Sequence, residues 1–493
     1  MTIHLSILIW LPAAFGLVGL FLPKTAARAF VPLGSLLTFA YAIALIADFD
    51  RSAKGLQYVT DETWISELGI HYKLGVDGLN LFLIALAALL FLASLAWASR
   101  REWERPQHFL FHLALGESGV LCALAAQDLA LFVLCFDLML IPFLFLTGIW
   151  GTGNRVGAAL KLFIYTLVGS LLMLAAAIAT AVLVSQQSGQ PLSFVLSDLQ
   201  AGAPNLANGS QQWIFLCFAA AFLVKMPAFP LHGWMPDGYR SMPLPALAAF
   251  SGALSKVAAY GFLRIVVQLF PDASAHFQDL MLVIALASIL YGSAMAFTTT
   301  ETRLILGYSS VAQLGFITLG VFALQGDGAQ GAILQSVNHG LVVAPGFLII
   351  AYLVERAGSD DLRDMGGIAF RAPVFATLFL IVAFATLAMP GSSNFLGEFL
   401  ILFGVFESKV VIAAVAFTGV ALAAVYALRF FIRAMHNRQN EGAVSLDLSL
   451  TELGLLAPLV AVIIFFAVYP QLALHKAERT VTQSVQAAGA IAR

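Results

Sequence analysis

Lys225 lies deep in an apolar stretch of the sequence, because it follows the run from Trp213 to Val224. A helix rises about 1.5 Å per residue, so this amine would lie roughly 18 Å along the run, near the middle of a hydrocarbon layer about 30 Å thick. A charge at that depth costs at least about 2.5–3.5 kcal/mol unless it finds water or a partner. We therefore expect Lys225 to face the protein interior and to exchange protons there.

Asp137, Lys256 and Glu398 interrupt other apolar stretches in the same way. Amines and carboxylates bind and release protons, and we expect all these side chains to face a hydrated interior. Structural ion pairs are the alternative for Asp137, Lys225 and Lys256. For Glu398, which would lie in the first turn of a half-helix, the alternative is an interaction with the positive end of that helix. The pattern thus predicts a proton pathway.

Other polar residues in apolar segments add to this pathway less directly. His339 follows Asn338 and precedes Pro345, which favours a hydrated site with a relay function over a purely interhelical hydrogen bond. Gln313 supplies another polar group. Glu117 could equally form a structural hydrogen bond or take part in transport, and we interpret His232 as mainly structural.

The chain as a whole has the composition of a polytopic membrane protein. It has 493 residues, of which 60% are hydrophobic and 11% charged, and its mean hydropathy is +0.91. Apolar runs of about 17–25 residues predict membrane helices. We number the fourteen predicted spans in chain order: 3–22, 30–47, 76–98, 109–126, 128–150, 160–184, 213–234, 243–268, 277–297, 303–324, 330–354, 373–406, 409–432 and 453–472.

The distribution of Lys and Arg predicts the orientation of these spans. Most of them lie in loops after odd-numbered spans, such as Arg100, Arg101 and Arg105 after span 3 and Arg240 after span 7. By the positive-inside rule these loops face the cytoplasm, so both termini face outward. The first span has no basic leader or cleavage site and is expected to be a retained helix.

Charge and cysteine content exclude several other classes of function. A net charge of -2, without a basic patch or a glycine-rich phosphate loop, argues against nucleic-acid and nucleotide binding. Cys122, Cys135 and Cys217 lie inside apolar spans without the spacing of metal ligands, so we interpret them as small buried hydrophobic residues. No redox centre or metal site is predicted.

A single membrane domain is the simplest organisation. The segments 48–75, 185–212 and 355–372 are too short for a soluble domain, and the first of them suits a hairpin on the outer face. Met-Pro pairs at Met226 and Met389 predict interruptions in spans 7 and 12, because proline cannot donate a backbone hydrogen bond. Interrupted helices five spans apart indicate two inverted five-helix repeats.

The predicted parts of this domain are helices 1–3 at 1–108, a first repeat at 109–268, a second repeat at 277–436, and a C-terminal helix and tail at 453–493. The first repeat contains spans 4–8 and the second contains spans 9–13.

Several sequence motifs resemble the antiporter-like membrane subunits of respiratory complex I, the proton-pumping NADH:quinone oxidoreductase. The resemblance covers essentially the whole chain and rests on five segments: Gly75–Leu79, Lys225–Asp237, Leu254–Arg264, Tyr308–Phe316 and Asn394–Phe399. The last segment, Asn-Phe-Leu-Gly-Glu-Phe, is most similar to the subunit M branch of that family.

This resemblance implies an all-α fold of about fourteen helices, two inverted five-helix repeats, broken helices 7 and 12, and a hydrophilic central axis. Lys225, Lys256, His339 and Glu398 match the family's residues on helices 7, 8, 11 and 12. Asp137 stands where the family usually has glutamate, which predicts an altered reach to Lys225. Gln313 stands where histidine is common. Because glutamine cannot take up a proton at neutral pH, we expect water to carry the proton past this position.

The expected function is proton translocation in a bacterial inner membrane, carried by Asp137, Lys225, Lys256, His339 and Glu398. The resemblance implies that NADH, FMN, iron–sulfur clusters and quinone bind to partner subunits, while this chain carries no cofactor. Other complex I membrane subunits would flank it on both sides in the bilayer. The alternatives are a subunit of a multisubunit cation/proton antiporter and a passive structural subunit.

Overall fold

The computed structural model describes residues 4–53, 55–436 and 446–492. Eleven of its helices are long and apolar enough to cross a membrane, and three shorter apolar helices accompany them within the described residues. Together with Asn208–Lys225 they account for the fourteen predicted spans. The all-α membrane fold is therefore confirmed.

Most spans are single helices. Their bounds are Leu5–Gly19 (span 1), Lys24–Asp48 (2), Leu81–Ala98 (3), Pro106–Ala125 (4), Arg155–Ser188 (6), Leu244–Leu269 (8), Gln278–Thr298 (9), Thr302–Phe322 (10), Gly326–Ala357 (11), Val410–Met435 (13) and Leu450–Val468 (14).

Three spans are interrupted. The halves are Leu129–Leu138 and Ile141–Trp150 in span 5, Asn208–Lys225 and Met235–Ser241 in span 7, and Pro373–Thr386 and Ser393–Phe406 in span 12. The breaks in spans 7 and 12 were predicted from their prolines, and the break in span 5 was not. Pro142 is the sequence signal for that break, because it cannot donate to the Leu138 carbonyl.

The carbonyl groups at the break in span 7 find new partners. Proline at position 227 removes the usual donor to the Leu223 carbonyl, which instead accepts from the Ala228 amide over 3.0 Å. The Val224 carbonyl accepts from the Trp234 indole over 2.9 Å. Because backbone in a membrane must satisfy its hydrogen bonds inside the protein, these contacts allow the chain to unwind at this depth.

The turn in span 12 has a different local conformation. Ala388 has a φ of 52° and Gly391 a φ of 90°, both in the left-handed region. The Met389 amide donates to the Phe384 carbonyl, five residues earlier, over 3.1 Å. The second half-helix then begins at Ser393 and carries Glu398.

Span 8 is continuous but contains two π-helical segments, Phe250–Leu254 and Phe262–Val266, on either side of Lys256. Such segments occur mostly as single-turn insertions, often at functional sites. No sequence pattern predicted these segments, because π-helical turns depend on packing more than on residue type.

Spans 8, 10 and 11 form the centre of the bundle. Every residue in the most apolar segments of spans 8 and 10 is buried, and 94% in span 11, against 33% in spans 2, 13 and 14. Glycines allow the central backbones to touch. A Cβ atom on Gly340 of span 11 would lie 2.7 Å from the Gly252 carbonyl oxygen of span 8.

The segments outside the spans include the expected hairpin. Strand β1 (Gln57–Ile65) pairs antiparallel with β2 (Ile70–Val76). Span 3 begins at Leu81 and not at residue 76, because Val76 belongs to β2 and Asp77 binds the Leu79 amide in a turn. The 3₁₀ turn Ser66–Leu68 joins the two strands.

The C-terminal segment forms a helix from Gln471 to Ala492 that follows span 14. Its small residues Ala473, Ala477 and Ala488 are buried against the bundle. The remaining short elements are Leu196–Gly202, Ala203–Asn205, Pro271–His276, Leu362–Asp364 and Ile368–Phe370. The division into two repeats remains a prediction.

The interpretation of all three cysteines as simple hydrophobic residues is wrong for two of them. Cys122 of span 4 and Cys135 of span 5 form a disulfide, with their Cα atoms 5.8 Å apart. Cys217 is free and half-buried. The short connection between spans 4 and 5 brings the two helices side by side, which sequence spacing alone did not reveal.

Candidate functional site

Asp137 and Lys225 face each other across spans 5 and 7. The Lys225 Nζ atom lies 3.7 Å from Asp137 Oδ1. Ser170 of span 6 also donates a hydrogen bond to Oδ1. The structure therefore brings together the first two residues of the predicted pathway, at the interruptions of spans 5 and 7.

The two partners differ in burial. The Lys225 side chain is 4% exposed, whereas the Asp137 side chain is 41% exposed. The expectation that Asp137 faces the protein interior is thus wrong for the isolated chain. Leu134, one turn earlier on the same face of span 5, is exposed as well, so the bundle leaves one side of the carboxylate uncovered.

Lys256 lies in the buried centre of span 8, with 1% of the residue exposed. Its Nζ atom donates to the Ser251 carbonyl over 2.8 Å and to the Ser255 hydroxyl over 3.2 Å. Within the described residues no carboxylate lies within ion-pair distance of this amine. The structural alternative for Lys256, an ion pair with a carboxylate on another helix, is therefore not supported.

His339 occupies the neighbouring face of span 11. It is 2% exposed, and it lies close enough to Lys256 for the lysine charge to act on its ring. Neither ring nitrogen has a hydrogen-bond partner in the described part of the chain. The adjacent Asn338 donates to the Ser393 carbonyl over 2.6 Å, which ties this part of span 11 to span 12.

Glu398 belongs to a buried chain of side-chain hydrogen bonds. Gln313 of span 10 donates to Glu398 Oε1 over 2.7 Å, and Gln335 of span 11 donates to Gln313 Oε1 over 2.7 Å. Glu398 itself is 2% exposed. The half-helix begins at Ser393, so Glu398 lies in its second turn, whereas the alternative of a helix-end interaction expected it in the first. Its hydrogen bonds are with spans 10 and 11.

Sequence reasoning missed Gln335, although its position offered two signals. It lies four residues before His339, on the same helical face. In addition, a Cβ atom on Gly397 would lie 2.4 Å from Gln335 Oε1, so the glycine before Glu398 makes room for this amide. The contacts of Ser170 with Asp137 and of the Phe136 ring with Lys225 were missed as well.

Glu117 and His232 lie outside these groups. Ser35 of span 2 donates to Glu117 Oε1 over 2.9 Å, and the neighbouring Ser118 hydroxyl accepts from the Ala13 amide of span 1 over 3.0 Å. Glu117 thus faces the N-terminal spans. The His232 ring packs against Phe229 and Tyr291, with centroids 5.6 and 4.8 Å away.

Arg264 and Asp77 form a buried ion pair. The sequence motifs Gly75–Leu79 and Leu254–Arg264, which contain these residues, did not predict that they would be in contact. Their side chains are 7% and 6% exposed, and Arg264 also donates to the Tyr260 hydroxyl over 3.1 Å. This pair joins the start of span 3 to the second π-helical segment of span 8.

The arrangement thus comprises three polar groups: Asp137–Lys225, Lys256–His339 and Gln335–Gln313–Glu398. An ion pair of 3.7 Å joins the first group and direct hydrogen bonds join the third, and within the described ranges no hydrogen bond joins one group to the next. Chemically, the groups offer carboxylates, amines and an imidazole that can bind and release protons. No cluster of His, Cys, Asp and Glu with the geometry of a metal site occurs among the described residues.

Comparisons with known proteins agree with the motifs. Residues 126–423 match the family described as "NADH:quinone oxidoreductase/Mrp antiporter, TM". The chain is 34% identical to NADH-quinone oxidoreductase subunit M of Rhodobacter capsulatus over 459 residues, covering 92% of this chain and 89% of that protein. It is also 34% identical to subunit M of Mycobacterium tuberculosis, covering 95% of this chain and 91% of that protein.

Solved structures show the same fold. A chain in respiratory complex I from Thermus thermophilus with bound NADH superposes with a TM-score of 0.89 at 31% identity, covering 99% of this chain and 100% of that one. A chain in the Mrp complex from Dietzia superposes with a TM-score of 0.82 at 17% identity, covering 99% of this chain and 55% of that one. The chain therefore belongs to the NADH:quinone oxidoreductase/Mrp antiporter family of membrane subunits.

Proposed function

We propose that this chain is a proton-translocating membrane subunit of an NADH:quinone oxidoreductase, a counterpart of subunit M. NADH oxidation and quinone reduction would occur in partner subunits, which would bind NADH, FMN, iron–sulfur clusters and quinone. In this proposal the chain itself holds no cofactor. It belongs to the oxidoreductase as the part that moves protons.

Lys256 carries this proposal. A buried amine that serves only structure is normally paired with a carboxylate, because removing a charge from water costs several kcal/mol. Lys256 is buried, and among the described residues its hydrogen-bond partners are only a carbonyl and a hydroxyl. Those contacts suit a group that exchanges its proton with neighbours, such as His339, better than a permanent ion pair.

Several buried polar atoms around His339 and Glu398 support a hydrated path between the polar groups. Both His339 ring nitrogens, Glu398 Oε2 and both amide atoms of Asn394 have no protein partner among the described residues. Buried polar atoms are rarely left unpaired, and ordered water is the usual partner where protein groups are absent. Water would thus connect groups that do not touch directly.

Each residue of the pathway has a distinct role in this proposal. Asp137 and Lys225 form a pair that opens and closes as protons arrive. Lys256 and His339 relay the proton between the two halves of the domain. Glu398 passes it on, with Gln313 and Gln335 orienting its carboxylate.

The orientation and the partners belong to the same proposal. Both termini would face outward in a bacterial inner membrane, and protons would leave on that side. Membrane subunits of the complex would flank the chain. The exposed edge of the Asp137 carboxylate supports such a neighbour, because a charge facing lipid would be costly.

A cation/proton antiporter subunit is the second candidate, because the matched family includes Mrp antiporter subunits. Transport that depends on sodium or potassium, without NADH-linked activity, would favour it. Copurification with NADH- and quinone-binding subunits would favour the oxidoreductase.

Lys225→Ala and Lys256→Ala in the assembled complex test the proposal. We expect the variant complexes to assemble and to lose most NADH-driven proton uptake into inverted membrane vesicles. Lys409→Ala is the matched control, since Lys409 forms an ion pair with Asp279 at the surface, over 2.7 Å. It should pump at the wild-type rate.

The proposal would be wrong if both buried lysines could be replaced without any change in pumping or in NADH:quinone turnover. Loss of assembly alone is recognised by blue-native electrophoresis. If a variant complex does not assemble, Lys225→Arg is used instead. Arginine keeps the positive charge but does not release its proton, so assembly without pumping would show that a removable proton is needed at this position.

A further inference from the structure

The ammonium group of Lys225 contacts Phe136 more closely than Asp137. Its Nζ atom donates to the Phe136 carbonyl over 2.8 Å and lies 3.9 Å from the centre of the Phe136 ring. The nearest Asp137 oxygen is 3.7 Å away, beyond a normal hydrogen bond. The amine is thus already displaced from its carboxylate toward the neighbouring residue.

The Phe136 carbonyl is available because span 5 is interrupted. In a continuous helix this carbonyl would accept the Leu140 amide, four residues later. Here the Leu140 amide donates instead to the Asp137 carbonyl over 3.0 Å. The break in span 5 therefore presents a free backbone acceptor to the lysine.

The Phe136 ring is held rigidly in place. It is fully buried, and the rings of Phe132 and Phe222 pack against it with centroid distances of 5.4 and 5.5 Å. The face of an aromatic ring attracts a cation, and the attraction is strongest where both groups are removed from water. A fixed ring in this position can hold the ammonium group without a carboxylate.

We propose that Phe136 is a positioning residue that holds the charged Lys225 while its pair with Asp137 is open. Its carbonyl and its ring face together form the site that the ammonium group occupies. This inference rests on the proposed role of Lys225 in proton transfer. It also accounts for aspartate at position 137, because the short side chain, bound to Ser170, leaves the amine to Phe136.

The surroundings of Lys225 are simple enough for a pH test. Asp137 from span 5 is the charged group that faces the amine within the described residues. Span 6 contributes the Ser170 hydroxyl, and span 8 contributes the Phe262 ring behind Phe222. Among the described residues, a change in the Phe136 ring therefore acts on the amine and on the one titratable group that the amine faces, Asp137.

The test replaces Phe136 in the assembled complex by 3,4,5-trifluorophenylalanine, which keeps the ring's shape but weakens the negative charge of its face. The same substitution at Phe132, one helical turn earlier, is the matched control, since that ring does not contact the lysine. Phe136→Leu serves as a second variant that removes the ring and keeps the carbonyl. Proton pumping and NADH:quinone turnover are measured from pH 6 to 9.

Weakening the ring face removes a group that stabilises the charged amine, so Lys225 should lose its proton at lower pH. We expect the alkaline limb of the pumping profile to move to lower pH and the rate at pH 8 to fall roughly three- to tenfold. Phe136→Leu should show the same shift, and the profile of the fluorinated Phe132 complex should match the wild type.

Identical profiles for fluorinated Phe136 and the wild type would overturn the inference, provided that Lys225→Ala abolishes pumping. Equal shifts at positions 132 and 136 would overturn it as well, because they would indicate a general packing effect. If Lys225→Ala alone pumps normally, this inference fails, and if Lys256→Ala pumps normally as well, the proposed function fails with it.

Discussion

The Gln313 amide donates a hydrogen bond of 2.7 Å to the Glu398 carboxylate. The sequence predicted that glutamine at this position would leave the link to water, because glutamine cannot take up a proton at neutral pH. The structure corrects this expectation in part. Gln313 contacts Glu398 directly and accepts from Gln335, so it orients the carboxylate even though it carries no proton of its own.

Gln313→Leu should therefore slow proton pumping while the complex still assembles. It would remove the 2.7 Å contacts of Gln313 with the Gln335 amide and the Glu398 carboxylate, at a cost of about 1–3 kcal/mol for each buried group, and leave only the longer 3.5 Å contact between those two side chains. Gln313→His should keep pumping, since imidazole can donate to the same oxygen. The measurement is the number of protons moved per NADH oxidised.

Gln278→Leu is the matched control for this experiment. Gln278 is also buried, but it donates to the Phe322 and Ala323 carbonyls, away from the polar groups. It should lower thermal stability without changing the proton ratio. Equal proton ratios in the Gln313→Leu and Gln278→Leu complexes would show that Gln313 is only structural.

Asp137→Asn should reduce pumping on the order of tenfold or more, because it removes the proton-binding carboxylate next to Lys225. Asp137→Glu should retain pumping, since the longer side chain still ionises and reaches farther toward the lysine. Asp279→Asn, at the surface ion pair with Lys409, is the control. Wild-type pumping by the Asp137→Asn complex would contradict the assigned role.

Arg264→Met should destabilise the protein by about 3–5 kcal/mol, because it leaves the buried Asp77 carboxylate without its counter-charge. Arg264 and Asp77 are almost completely buried, so solvent cannot replace the missing partner. The double variant Asp77→Asn, Arg264→Met should recover a large part of this loss. Thermal unfolding in detergent measures both effects, and additive losses in the double variant would disprove the coupling.

Gly340→Ala should weaken the contact between spans 8 and 11 by about 1–3 kcal/mol. The added methyl group would lie 2.7 Å from the Gly252 carbonyl oxygen and 2.7 Å from a Leu86 methyl group. Gly209→Ala is the control, because a Cβ atom there has no neighbour within 4 Å. Thermal unfolding should show a clear loss only for Gly340→Ala.

Asp361 should make the connection between spans 11 and 12 sensitive to acid. Its hydrogen bonds with the Arg363 side chain and amide and with the Thr300 hydroxyl lower the pKa of its carboxyl to about 2. A lowered pKa means that the ionised carboxylate stabilises the folded turn. That contribution is complete above about pH 4 and disappears as the pH falls toward 2.

Asp361→Asn should accordingly loosen residues 359–364 at pH 6, whereas the wild-type turn should loosen only in acid. Hydrogen exchange of the backbone amides, corrected for its intrinsic pH dependence, measures this difference. Equal protection of the wild type and the variant at pH 6 would show that the carboxylate does not hold the turn.

Much of the architecture was predictable because the hydrocarbon layer imposes strong local rules. A span needs about 20 apolar residues, so the fourteen spans follow from apolar runs alone. Proline removes a backbone donor, so the interruptions at Met226 and Met389 follow from the two Met-Pro pairs. The exposed hairpin followed from its mixed composition.

The errors arose where packing between helices decides the local structure. The break in span 5, the π-helical segments of span 8 and the Cys122–Cys135 disulfide all depend on how neighbouring helices fit together. The exposure of Asp137 depends on which side of span 5 the bundle covers. A uniformly apolar run carries no periodic pattern from which that side could be predicted.

The sequence by itself determined that this is a membrane protein with a few costly ionisable residues, because each such residue stands out against an apolar background. It did not determine their partners. Lys225 contacts Phe136 as well as Asp137, Lys256 has no carboxylate within ion-pair distance in the described part of the chain, and Glu398 binds Gln313. Only the tertiary structure decided these pairings, since they depend on the rotation and crossing of helices that are distant in sequence.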